Sequence, residues 1–300
     1  MAIAVTPGED YIYHYAAMLR FYLSSVTSKS HRLLEIIRYP DLEASIAKWT
    51  GLDTNFVKKD DFLVLGFIQE ILAELKNNLA MNLISTQESD YYLSYRYVLE
   101  SGQIINFLGV KYSFWGNISA KLIEKLCELG VSKVIYIGKL GCMTNPNDLY
   151  DRIFSPTKFL HLKANKIIGF ATKVNNEFVS EFPELNSGWH VSVPTVIEED
   201  YSQRKASANF ECNSIDNEIS QMAIAIDKYN KANRCNEKIS FLPLHFATDY
   251  LRSDHEKTKH IGLDLSTNRT SSAEEKKSAI FKKLSRYLKQ YIEQQEELAK

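Results

Sequence analysis

Up to about residue 90, apolar positions recur mostly at helical spacing. "YIYHYAAMLRFYLSSV" (Tyr11 to Val26) has this period, and "DLEASIAKWTG" opens on an Asp41 cap and closes on Gly51. "KKDDFLVLGFIQEILAELKNNL" predicts one amphipathic helix over about Asp60 to Leu79. Residues 1–90 therefore read as a helical N-terminal extension, a packing or oligomerisation layer without chemistry of its own.

After Asp90 the pattern becomes α/β. "YYLSYRYVLE" alternates, "SG" turns, and "QIINFLGVKYSF" predicts a second strand. "GNISAKLIEKLCELG" is a helix with an Asn117 cap, a stripe of Ile118, Leu122, Leu126 and Leu129, and a stop at Gly130. "KVIYIG" comes next as a buried strand that breaks at Gly138 into a tight turn, giving a parallel strand–helix–strand crossover. "KIIGFATKV" and "WHVSVPTVIEED" are further strands, "SIDNEISQMAIAIDKYNKA" a helix, and "KISFLPLHFATDYL" a last buried strand. A charged C-terminal helix buries Ile280, Leu284, Tyr287, Leu288 and Ile292, and the polar stretch from Asp254 to Ser272 reads as a loop. Residues 91–300 thus form an α/β domain with a mixed sheet, closed by the C-terminal helix.

Composition narrows the function classes. The 300 residues are 45% hydrophobic and 24% charged, as in ordinary globular proteins, with a net charge of -1. That charge supplies no global field for nucleic acid or an anionic membrane. No apolar run approaches the ~20 residues that span a bilayer, and the N-terminus is not a secretory signal. Cys127, Cys142, Cys212 and Cys235 lie far apart, and the histidines show no HExxH spacing. Reduced thiols, a cytoplasmic location and no metal are the expectations.

Ligands of α/β sheets bind beyond the carboxyl ends of strands. Gly138-Lys139-Leu140-Gly141 reads either as an anion site or as a plain strand exit with a solvated lysine. In Ser214-Ile215-Asp216-Asn217-Glu218 the acidic groups either cap a helix or let a carboxylate accept the two hydroxyls of a ribose diol. Thr248-Asp249 ends a core strand. The aspartate either caps a helix over "DYLRSD" or protonates a leaving group, which requires a raised pKa. Among Trp189, His190, Ser192, Pro194 and Thr195, the ring of Trp189 or His190 can stack on a base, although core packing is the commoner fate of each.

In this order, the glycine segment, the "DNE" and the strand-end "TD" resemble the nucleoside phosphorylase/nucleosidase superfamily. "LGVKYSFWGNISAKLIEKLCELGVSKVIYIGKLGCM", "SIDNEIS" and "FATDYL" carry the resemblance, over about Gln103 to Arg252. It implies a mixed central sheet flanked by helices, cleavage of an N-glycosidic bond by phosphorolysis or hydrolysis, no cofactor, and a homo-oligomer. On it, Glu218 holds the sugar hydroxyls and Asp249 protonates a purine. Asp216, Asn217, Thr195, Thr248 and His190 border the sugar and base, while Gly138, Lys139 and Gly141 face phosphate, a possible co-substrate. The chain departs from the pattern at Tyr136, where an arginine is usual, at Lys139, and in the absence of a recognisable N-terminal strand and phosphate loop. Those departures support a second reading, a catalytically reduced relative that binds a nucleotide-like ligand as a sensor or partner module. A third, a Rossmann-like dehydrogenase or methyltransferase, needs a glycine spacing the chain lacks.

Overall fold

A computed structural model describes residues 3–5, 8–26, 34–37, 48–233, 238–251 and 270–299. Its centre is a mixed sheet. Strand β1 (Phe62–Gly66) lies between β4 (Ile104–Val110) and β5 (Lys133–Cys142) and runs parallel to both. Strands β2 (Met81–Glu88) and β3 (Tyr92–Leu99) extend one side as an antiparallel meander. β11 (Ser240–Tyr250) pairs in parallel with β5 along its length and meets the short β6 (Ile153–Phe154). At its far end β5 also pairs with β10 (Ser214–Asp216), which continues through β9 (Trp189–Ser192) to the hairpin of β7 (Lys158–Lys163) and β8 (Lys166–Ala171).

The predicted helix over Asp60 to Leu79 is instead strand β1 followed by helix α2 (Ile68–Leu75). The sheet therefore reaches into the segment read as a helical extension, and a boundary at residue 90 cuts through it. The reason is burial on both faces. Phe62 and Val64 enter one core, Leu63 and Leu65 the other, so no alternation survives. Gly66 makes the junction possible. It has φ +96°, and a Cβ would lie 1.7 Å from the Ile137 carbonyl oxygen.

Helices α3 (Asn117–Glu128) and α6 (Ile219–Ala232) pack together on one face, and α2 and α7 (Ser271–Ala299) on the other. The predicted α7 stripe is buried in full, joined by Tyr291. The cap of α3 differs from expectation. Asn117 is its first residue, and the acceptor for the Asn117 N–H is Asp10 Oδ2, 2.8 Å away in α1 (Glu9–Val26). Residues 48–50 are helical before Gly51, but the Asp41 cap lies outside the described residues, as do residues 254–269 of the predicted polar loop. Among the described residues no helix is long and apolar enough to cross a membrane.

Candidate active site

The site forms along the last third of β5, between the end of β11 on one side and, on the other, β10, which runs antiparallel to β5 and parallel to β9. β5 does not turn at Gly138; it stays extended through Gly141 to Cys142. Neither glycine has a positive φ. Successive N–H groups of an extended strand point to opposite edges, so this backbone makes no concave nest for an anion. The glycines instead make room for side chains. A Cβ at Gly138 would sit 2.5 Å from His245 Nε2, and one at Gly141 2.7 Å from Asp249 Oδ2. The anion-binding role read for Gly138 and Gly141 is replaced by close packing against the neighbouring strand.

Asp249 owes its position to a bulge. The pairing of β11 with β5 slips between Ala247 and Asp249, which re-aims the side chain over Gly141. Thr248 Oγ1 donates to Asp249 Oδ1 at 2.9 Å. Thr248 also lines a cleft of about 520 Å³ between the strand ends and α7, together with Lys139, Phe67, Tyr150, Phe246 and Phe281. Lys139 is exposed at this cleft. The cleft meets the acidic site at Thr248 and Lys139, while Glu218 lies outside its lining.

"SIDNE" is not the start of a helix. Ser214, Ile215 and Asp216 form β10, and α6 begins at Ile219. The buried Asp216 carboxylate caps that helix, accepting from the N–H groups of Glu218 at 3.1 Å and Ile219 at 3.0 Å. Oδ1 also meets His190 Nε2 at 2.8 Å and accepts a short hydrogen bond from Ser192 Oγ. His190 Nδ1 pairs with Ser214 Oγ at 2.8 Å. Burial would raise Asp216, but His190 and Ser192 outweigh it and hold the carboxyl below its usual range. Asp216 and His190 are therefore buried and bonded to each other beneath the strand ends. Thr195 is likewise buried: its Oγ1 caps the turn at Ile197 and meets His14 Nδ1 at 2.5 Å. Asn217 Nδ2 holds the Val193 carbonyl at 3.1 Å.

Glu218 is half-buried. Its Oε1 accepts from the Tyr136 hydroxyl at 3.2 Å and its Oε2 from the Asn217 N–H at 3.0 Å. Burial, and then the Asp216 charge, push it up to about 8. Sequence reasoning misses Glu199, whose carboxyl feels Asp249, Asp216 and Glu218 together. An acidic residue soon after a strand end is the available signal, but the turn that directs it inward has no motif.

His245 lies beneath, edge-on to the Tyr136 ring at 4.8 Å, with a buried Nδ1 that has no partner among the described residues. Burial lowers His245 to about 3 and His161 to about 4. Both stay neutral in the fold, whereas unfolded histidine titrates near ~6.5. Their depressed values leave stability intact above pH ~6.5, and it is lost as pH falls toward the folded values. Urea unfolding should therefore show stability declining from pH 7 to pH 5 by up to ~1.4 kcal/mol per pH unit for each histidine. His245→Phe should flatten that decline; an unchanged slope would remove His245 as its cause.

Among the described residues no group of three His, Cys, Asp or Glu side chains is arranged to hold a metal ion. The fold is the one seen in solved nucleosidases and a futalosine hydrolase. The chain is similar to the 5'-methylthioadenosine nucleosidase of Arabidopsis thaliana, with TM-score 0.54 and 11% identity over 79% of this chain and 96% of that one. It is equally similar to a futalosine hydrolase mutant of Helicobacter pylori, with TM-score 0.54 and 10% identity over 78% and 99%. The 5'-methylthioadenosine/S-adenosyl homocysteine nucleosidase of Helicobacter pylori, complexed with a pyrrolopyrimidine pyrrolidinol, gives TM-score 0.54 and 13% identity over 79% and 100%. No family model matches the sequence. In sequence, the chain is 32% identical over 273 residues to the oxidoreductase cns1 of Cordyceps militaris. That match covers 88% of this chain but only 34% of cns1, so the chain spans about a third of the relative's length.

Proposed function

We propose that this chain cleaves the N-glycosidic bond of a purine nucleoside, with water as the nucleophile. The observation that carries the reading is that Asp249 and Glu218 both act on Glu199 at the strand ends, with Thr248 bonded to the first and Tyr136 to the second. Breaking the bond builds positive charge on the sugar and negative charge on the base. Asp249 as general acid neutralises the base. Glu218, once ionised, accepts the ribose hydroxyls and faces the sugar cation. Water is preferred to phosphate because the glycine segment is an extended strand without an anion nest. The nucleosidase and hydrolase names of the fold neighbours support the same choice.

A second reading rests on Glu218 itself. Tyr136 already occupies one of its oxygens, and its raised pKa leaves it largely protonated at neutral pH. Such a group suits a module that binds a nucleotide-like ligand without turning it over. Free-base release from a panel of nucleosides and nucleotides, with and without phosphate, separates the readings. The proposal expects release at the same rate in both conditions. Release only with phosphate would replace water by phosphate, and tight binding without release would establish the sensor reading.

A further inference from the structure

Helix α1 has no part in the proposed chemistry, yet its first turns are bonded to the backbone around Glu218. Asp10 is buried. Its Oδ2 accepts the Asn117 N–H at 2.8 Å, and Lys163 Nζ lies 3.4 Å from its Oδ1. Tyr11 stacks on Trp115, with ring centroids 3.9 Å apart. His14 Nδ1 meets Thr195 Oγ1, and Thr195 caps the turn Val196–Glu198 that leads to α5 (Tyr201–Ala206). Beyond His14 the helix exposes Met18, Phe21, Tyr22 and Val26, so its polar grip is concentrated at its N-terminal end.

Gly116 is where that grip reaches the site. Its φ of +67° and ψ of -148° form a conformation that only glycine adopts readily, and a Cβ there would sit 2.8 Å from Asp10 Cβ. The Gly116 N–H donates to the Asn217 carbonyl at 2.8 Å, and the Gly116 carbonyl accepts from Ser119 Oγ at 2.7 Å. Ser119 Oγ also reaches the Glu218 carbonyl at 3.3 Å. Asn217 in turn donates its N–H to Glu218 Oε2 at 3.0 Å. A continuous run of bonds and close contacts thus leads from the Asp10 carboxylate to the Glu218 carboxyl.

We propose that α1 is a clamp on the Glu218 turn, with Asp10 as the positioning residue that, through Gly116, keeps Glu218 in register with the Asn217 N–H and the Tyr136 hydroxyl. The use of Glu218 to hold ribose hydroxyls rests on the cleavage reaction proposed above; the clamp itself is a property of the ligand-free chain.

Amide exchange and carboxyl 13C NMR of the ligand-free protein read the clamp. In Asp10→Ala the Gly116 N–H should exchange about fivefold faster or more, while the amides of β1 keep their protection. The Glu218 midpoint should rise by about half a pH unit or more, because the Asn217 and Tyr136 bonds favour the ionised carboxyl. Asp10→Asn, whose side-chain oxygen still accepts from Asn117, should restore both. Gly116→Ala, which forces residue 116 away from Asp10, should raise the midpoint with the Asp10 carboxylate intact, and tests the link if the first variant misfolds. With a cleaved nucleoside, kcat/KM should fall in Asp10→Ala and recover in Asp10→Asn. A Glu218 midpoint unchanged in both Asp10→Ala and Gly116→Ala overturns the inference, whether or not any nucleoside is cleaved. A raised midpoint with no cleavage by the wild-type chain keeps the clamp and sinks the cleavage reading.

Discussion

Asp249→Asn should slow base release by about 10²- to 10⁴-fold, the range for loss of a general acid. Ligand affinity should change far less, because an amide keeps the size and most of the polarity of the side chain. The loss belongs in kcat, since the proton is given up only as the bond breaks. Steady-state kinetics on the nucleoside that the wild-type chain cleaves, with direct binding by calorimetry, divide the two effects. Thr248 donates to the same carboxylate, so its hydroxyl orients Asp249 and stabilises the ionised form that remains after transfer. A variant that lost affinity and kept its rate would make Asp249 a ligand-holding group.

Asp216→Ala should be the most destabilising change in the site. It strips an acceptor from His190, from Ser192 and from the N–H groups of Glu218 and Ile219, all at once and away from water. Leaving buried donors without a charged partner costs about 3–5 kcal/mol. Thermal unfolding should show Tm falling by roughly 10 °C. Asp216→Asn should lose less, because one carbonyl oxygen still caps α6. The Ala variant should also lose ligand binding, since the same cap fixes the first turn that carries Glu218. An Ala variant that melted like the wild type would show that the network holds nothing in place.

The likeness to nucleosidases was legible because its parts are local. The α3 stripe with its Gly130 stop, the alternation of β3 and the apolar run of β4 are all visible in short windows. Three features were hidden, each for a physical reason. β1 is buried on both faces and runs into a helix after Gly66 and Phe67, so its period merges with that of α2. Gly138 and Gly141 looked like a turn because glycine signals turns in isolation; here each answers a side chain on another strand, more than a hundred residues away. Asp216 and His190 looked available to a ligand because their mutual bond spans two strands. Propensity carries no information about such long-range pairs.

The name of the sequence relative points elsewhere, to oxidoreduction. It describes a chain of which this one matches a third. In the present chain β5 leads to a short turn at Pro146–Asp148 after its glycines. A dinucleotide site would need a helix there, with its N-terminus facing the diphosphate. Glycosidic cleavage is the chemistry proposed for this site, and hydride transfer is not.

The most direct measurement is a crystal structure of Asp249→Asn with a purine nucleoside, where slowed turnover preserves the ligand. Ribose hydroxyls should lie on the Glu218 carboxyl, with the Tyr136 hydroxyl displaced or shared, and a base nitrogen should face residue 249. A nucleoside bound with its sugar away from Glu218, or with its base out of reach of residue 249, would contradict it.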